Sequence, residues 1–98
     1  MSTAVEIGSL IERHPEIRGG RPCLAGTGVS VHRIVRWYRL GLVPEEIADR
    51  IGHLSLAQIH AALAYYHANQ AQINAEIAAD QAKAEALERQ HTASQAGR

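Results

Sequence analysis

The spacing of apolar residues changes near Ser30. Between Ser9 and Val31 they come in short runs, Leu10-Ile11 and Cys23-Leu24, or alternate, as Val29 and Val31 do. Turn-forming steps separate them: His14-Pro15, Gly19-Gly20, Arg21-Pro22 and Gly26-Thr27-Gly28. Such punctuation predicts two or three short strands. Strands of that length bury little alone and must lie on later helices or pair with a second chain. From Val31 the spacing becomes helical, with Val31, Ile34, Val35 and Tyr38 as the inward stripe of a helix capped by Ser30 and stopped by Gly41. Pro44 then opens a second helix of about two turns, with Glu45 and Glu46 at its positive end, Ile47 and Ile51 inward and Gly52 at its close. Ser55-Leu-Ala-Gln58 reads as a capping box that starts a third helix.

No Gly or Pro follows Ser55 until Gly97, so this third helix is predicted to be continuous. Its apolar positions run Leu56, Ile59, Leu63, Tyr66, Ile73, Ile77, Ala84 and Leu87. With Gln70 and Asp80 filling the gaps, the steps alternate between three and four, the spacing of a helix that lies along another helix. About 35 residues would form a rod of roughly 50 Å, longer than the core of a small domain requires. Residues 68–90 are rich in Ala, Gln and Glu, which favours helix even where burial is weak. This extension therefore docks in a groove on a partner, or pairs with its twin, through Gln70, Ile73, Ile77, Asp80 and Leu87, or else is a solvated helix. The final residues, 91–98, have no apolar anchor and are expected to be disordered.

The expected fold class is mainly α: short N-terminal β-strands, then a three-helix helix-turn-helix unit with a long C-terminal helix. Three segments follow: a domain over 1–67 with a β-hairpin and the helix-turn-helix, the extension over 68–90 and the tail over 91–98. A chain of 98 residues has no room for two full-sized domains. With only 4% aromatic residues its core must come from Leu, Ile, Val and Ala, and such a small core favours dimerisation or docking on a partner. The lone Cys23 forms no internal disulfide. The N-terminus lacks the basic stretch and apolar run of a secretion signal, and no apolar run approaches a bilayer span, so a cytoplasmic protein without membrane contact is expected.

Ten basic and ten acidic residues cancel, but unevenly: the chain through Leu42 carries a balance of +3 and the remainder −3. Arg33, Arg36 and Arg39 project away from the inward stripe of the first helix, and Trp37 lies one turn from Arg33, with Leu40 following on the same side. Trp beside Arg is the composition of an interaction surface. Together with Arg18 and Arg21 these side chains suit phosphate contacts. A solvated basic face, with Trp37 buried in a dimer, is the other reading. At the start of the third helix only Gln58 is a good reader of base edges.

Other chemistry finds less support. His53, His60 and His67 recur every seven residues, roughly 10 Å apart along a helix, too far for two ligands of one metal ion. Gly26-Thr-Gly28 lacks the Lys-Ser or Lys-Thr of a phosphate loop. Neither Ser30 nor His32 forms a nucleophilic arrangement, so no catalytic residue, cofactor or metal is expected.

Taken in order, Ile17-Arg-Gly-Gly-Arg-Pro-Cys-Leu-Ala-Gly-Thr27, Val29-Ser-Val31, Gly41-Leu-Val-Pro-Glu-Glu-Ile47, Leu54-Ser-Leu-Ala-Gln-Ile59 and Ala62-Leu-Ala-Tyr-Tyr66 resemble the domain of unknown function 433 family. The resemblance spans Ile17 to Ile77, about two thirds of the chain. Members of that family resemble VapB-type antitoxins, with short amino-terminal strands and a homeodomain-like helix-turn-helix, and are often encoded beside a PIN-like ribonuclease toxin; the resemblance thus makes residues 1–67 an antitoxin-like domain. The resemblance implies a small dimeric antitoxin that masks its toxin and represses its own operon. A stand-alone helix-turn-helix transcriptional regulator is the alternative, with Gln58 reading a base and arginines gripping phosphates. Where the family commonly continues Gly-Thr-Arg, this chain has Gly28. A contact role for that arginine is then missing or passes to Arg21 or Arg33.

Overall fold

A computed structural model describes the backbone of residues 4–96 and the side chains of residues 4–92. Two compact units divide the chain, Met1–Ala68 and Asn69–Arg98. In the first, a 3-10 turn at Ile7–Leu10 leads into strand β1 (Ile11–Glu12), which pairs antiparallel with β2 (Cys23–Leu24). The register sets Ile11 opposite Leu24 and Glu12 opposite Cys23. Two strands agree with the lower of the two expected counts, and a single bridge joins Cys23 to Ser30. Helices α1 (Val31–Arg39), α2 (Pro44–Ile51) and α3 (Leu56–Ala68) complete the unit.

Local chemistry explains each boundary. The Ser30 hydroxyl accepts the Arg33 N–H at 3.1 Å, which satisfies one of the unpaired donors at the start of α1. The helix ends at Gly41, whose φ of 98° lies in the left-handed region and whose N–H reaches the Tyr38 carbonyl at 3.0 Å. At the start of α2, Pro44 gives up no hydrogen bond, and the Glu46 carboxylate accepts the Val43 N–H at 3.0 Å. The capping box of α3 is complete: Gln58 N–H donates to Ser55 Oγ at 3.2 Å, and Ser55 N–H donates to Gln58 Oε1 at 2.8 Å.

Leu24, Val29, Val31, Ile34, Val35, Ile47 and Ile59 are buried, so the small sheet and all three helices contribute to the core. Tyr38 departs from the expected stripe. It is 36% exposed, and its ring meets Tyr66 edge-on with centroids 6.3 Å apart. Here an aromatic contact between α1 and α3 replaces full burial.

The long third helix is not continuous. It stops at Ala68 and a new helix, α4 (Gln70–Ala96), begins beyond Asn69. The Asn69 carbonyl accepts the Ile73 N–H at 3.0 Å, so Asn69 occupies the N-cap position of α4, where Asn is among the favoured residues. Neither Gly nor Pro marks this break. Helix α4 continues through residues 91–96, where a disordered tail was expected; residues 97 and 98 lie outside the described residues. Its 27 residues measure about 40 Å.

Candidate functional site

Residues 33, 36, 37 and 40 lie within about a third of a turn of one another around α1, opposite its buried positions. Arg33 and Arg36 are exposed, Trp37 is half-buried and Leu40 is 74% exposed. The guanidinium carbon of Arg50, from α2, lies 5.6 Å from the centroid of the Trp37 ring, a cation–π contact that adds a further basic group to this face. The sequence reading missed Arg50. It stands at the edge of the inward α2 positions Ile47 and Ile51, but only the packing of α2 beside α1 reveals that it covers Trp37. Val43, three residues after Leu40 in the turn that follows α1, is 50% exposed.

The other predicted arginines belong to the N-terminal turns. Arg18 adopts φ 50°, a left-handed conformation that few non-glycine residues take, and its Nε donates to the Gly28 carbonyl at 2.9 Å. Arg13, which was not among the predicted residues, also bonds to a turn, its Nε donating to the Gly20 carbonyl at 2.9 Å. Arg21 is half-buried, and its N–H closes the turn onto the Arg18 carbonyl at 3.2 Å. Arg18 therefore ties two loops together with part of the group expected to meet phosphate. Gln58, in turn, commits its amide oxygen to the cap of α3.

In α4, Gln70, Ile73, Ile77, Asp80 and Leu87 follow the three-four register of one helix face. Ile73 and Ile77 are buried, whereas Leu87 is 57% exposed. From Gln81 to Thr92 every side chain except the half-buried Ala86 is exposed.

Two further features were not anticipated. An open groove of about 630 Å³ runs between the N-terminal turn and α3, lined by Ile7, Gly8, Ile11, Ala61, Ala64 and Tyr65 together with Glu12 and Arg13. Beside it the Gly26 N–H donates to Glu12 Oε1 at 2.9 Å, and His14 Nε2 lies 3.4 Å from the same oxygen. The backbone hydrogen bond first, and His14 second, hold the Glu12 carboxyl below its ordinary pKa. Burial pushes the Cys23 thiol the other way, above its usual value. Among the described residues no three His, Cys, Asp or Glu side chains gather as a metal site would need, and no helix is long and apolar enough to cross a membrane.

Comparison with known proteins places these features. A family model described as "Protein of unknown function (DUF433)" matches residues 11–66, which include both strands and nearly all of α3. A solved structure, the crystal structure of a DUF433 member protein from Anabaena variabilis, is 28% identical in sequence with a TM-score of 0.66. The match covers 71% of this chain and 69% of that one. No curated protein matches the chain.

Proposed function

The chain belongs to the DUF433 family, and from that premise we propose that it is the antitoxin of a type II toxin–antitoxin pair: a cytoplasmic homodimer that binds and neutralises a PIN-like ribonuclease and regulates its own operon. The resemblance of this family to VapB-type antitoxins supplies the class of partner. The observation that carries the reading is the distal half of α4. A helix of 27 residues whose side chains beyond Asp80 are almost all exposed, Leu87 among them, offers several turns of surface that the chain's own core does not use. A helix laid into a partner's groove is a common way for one protein to block another; beyond Asp80 the large apolar anchor that α4 offers is Leu87, its other apolar residues being alanines. Ile73 and Ile77, being buried, contribute support for the helix, and the contact with the nuclease falls to Leu87 and its neighbours.

A stand-alone DNA-binding regulator draws less support. Its proposed base reader, Gln58, spends its carbonyl oxygen on the Ser55 N–H, and Arg18 spends its Nε on Gly28.

Co-expression with a neighbour-encoded PIN-like ribonuclease, the partner the proposal requires, is the test. The full chain should restore growth and copurify with the nuclease, and Leu87→Glu should weaken both effects. Undiminished binding and neutralisation after deletion of everything beyond Asn69 would refute the role given to α4.

A further inference from the structure

The α1 face carries an apolar centre and a basic rim in one place. Leu40 is 74% and Val43 50% exposed, three residues apart across the turn between α1 and α2, and the half-buried Trp37 lies one helical turn before Leu40. Arg33 and Arg36 stand on the same face of α1, and Arg50 reaches Trp37 from α2. We propose that this surface docks an acidic protein segment that carries an apolar side chain. The inference goes beyond the reading of α4, because it uses another surface, and it assigns these arginines to carboxylates instead of phosphates.

Charge selects the sign of the occupant. Glu46, the acidic residue of α2 nearest to Arg50 around the helix, already accepts the Val43 N–H. Glu45 and Asp49 fall by register on the flank of α2 away from Arg50. The rim therefore presents the guanidinium groups of Arg33 and Arg50, whose planar fork fits a carboxylate with two parallel hydrogen bonds. Stacking on Trp37 limits the rotamers of Arg50, so less side-chain freedom is lost when it pairs.

The apolar centre selects protein over nucleic acid. Phosphates would satisfy the arginines and leave Leu40 and Val43 in water. A protein segment satisfies both, with an apolar contact at the middle and charge-assisted hydrogen bonds around it, the usual anatomy of a protein interface.

Trp37 is the chain's one tryptophan, so its emission reports on this face without a label. The full-length protein is titrated with three probes: a helical Glu/Leu amphipathic peptide, the same peptide with Lys in place of Glu, and a random-sequence DNA duplex. The Glu/Leu peptide should shift Trp37 emission saturably. Its affinity, read independently by anisotropy of a labelled copy, should fall about tenfold or more in Leu40→Glu and in Arg50→Glu. Both side chains are exposed, and an unchanged circular dichroism spectrum will show that the variants fold.

Four results would each overturn the proposal: no saturable binding of the Glu/Leu peptide, equal or tighter binding of the Lys peptide or of the duplex, no effect of Leu40→Glu, or conversion of a dimer to a monomer by Leu40→Glu, which would make the occupant a second copy of this chain. These measurements involve neither the nuclease nor the distal part of α4, so they stand or fall separately from the antitoxin assignment.

Discussion

The Ser30 hydroxyl, half of a single 3.1 Å hydrogen bond, marks where extended chain gives way to α1. Ser30→Ala should therefore lower stability by about 1 kcal/mol, read as a shift of the urea midpoint with an unchanged slope. Glu12 acts through charge. Its carboxyl is held below its ordinary pKa by the Gly26 N–H and then by His14, so the folded state favours the ionised form. The resulting stabilisation is fully present above the unfolded-state pKa and disappears as pH falls through the lower folded value. Glu12→Gln should flatten the acid side of a plot of melting temperature against pH and leave its neutral region with a smaller change in slope. Residues of this kind were only partly legible in the sequence. Ser30, Gly41 and the Ser55/Gln58 box declare themselves because a cap acts on its immediate neighbours along the chain. Glu12 bonds to a backbone group fourteen residues away and Arg50 sits on a ring thirteen residues before it, and no local spacing encodes either contact.

Among the elements, α1 is held from inside and α4 ends in solvent. Ile34 is fully buried between these packed helices, and Ile34→Ala should cost about 2–5 kcal/mol through lost transfer energy and the cavity left behind. For a protein whose whole stability is of the order of 5–15 kcal/mol, chemical denaturation should show a large loss or an unfolded population at the outset. Leu87→Ala, on the exposed part of α4, should change the same measurement by no more than about 0.5 kcal/mol. The three helices of the first unit were readable because their apolar stripes and their caps agree. Two elements were not. The strands are two residues each, too short for alternation to define them. The division between α3 and α4 falls in a run of good helix formers, where Asn69 carries only a weak local preference against continuing.

For the molecule as a whole, depth of burial should set the order in which backbone amides exchange with solvent. Hydrogen exchange should leave Ile34 and Ile59 among the slowest amides and those of α4 beyond Asp80 among the fastest, because few apolar contacts oppose fraying there. Addition of the cognate nuclease should slow exchange in that distal stretch selectively if the antitoxin assignment is right. Equal exchange with and without the nuclease would count against it. The restart beyond Asn69 also gives the extension its own first helical hydrogen bond, from the Ile73 N–H to the Asn69 carbonyl, separate from the initiation signals at Ser30, Val43 and Ser55. Because every initiation signal of the preceding body lies before Asn69, a chimera joined at that residue should keep the hydrogen bonds at Ser30, Val43 and Ser55 whatever tail follows.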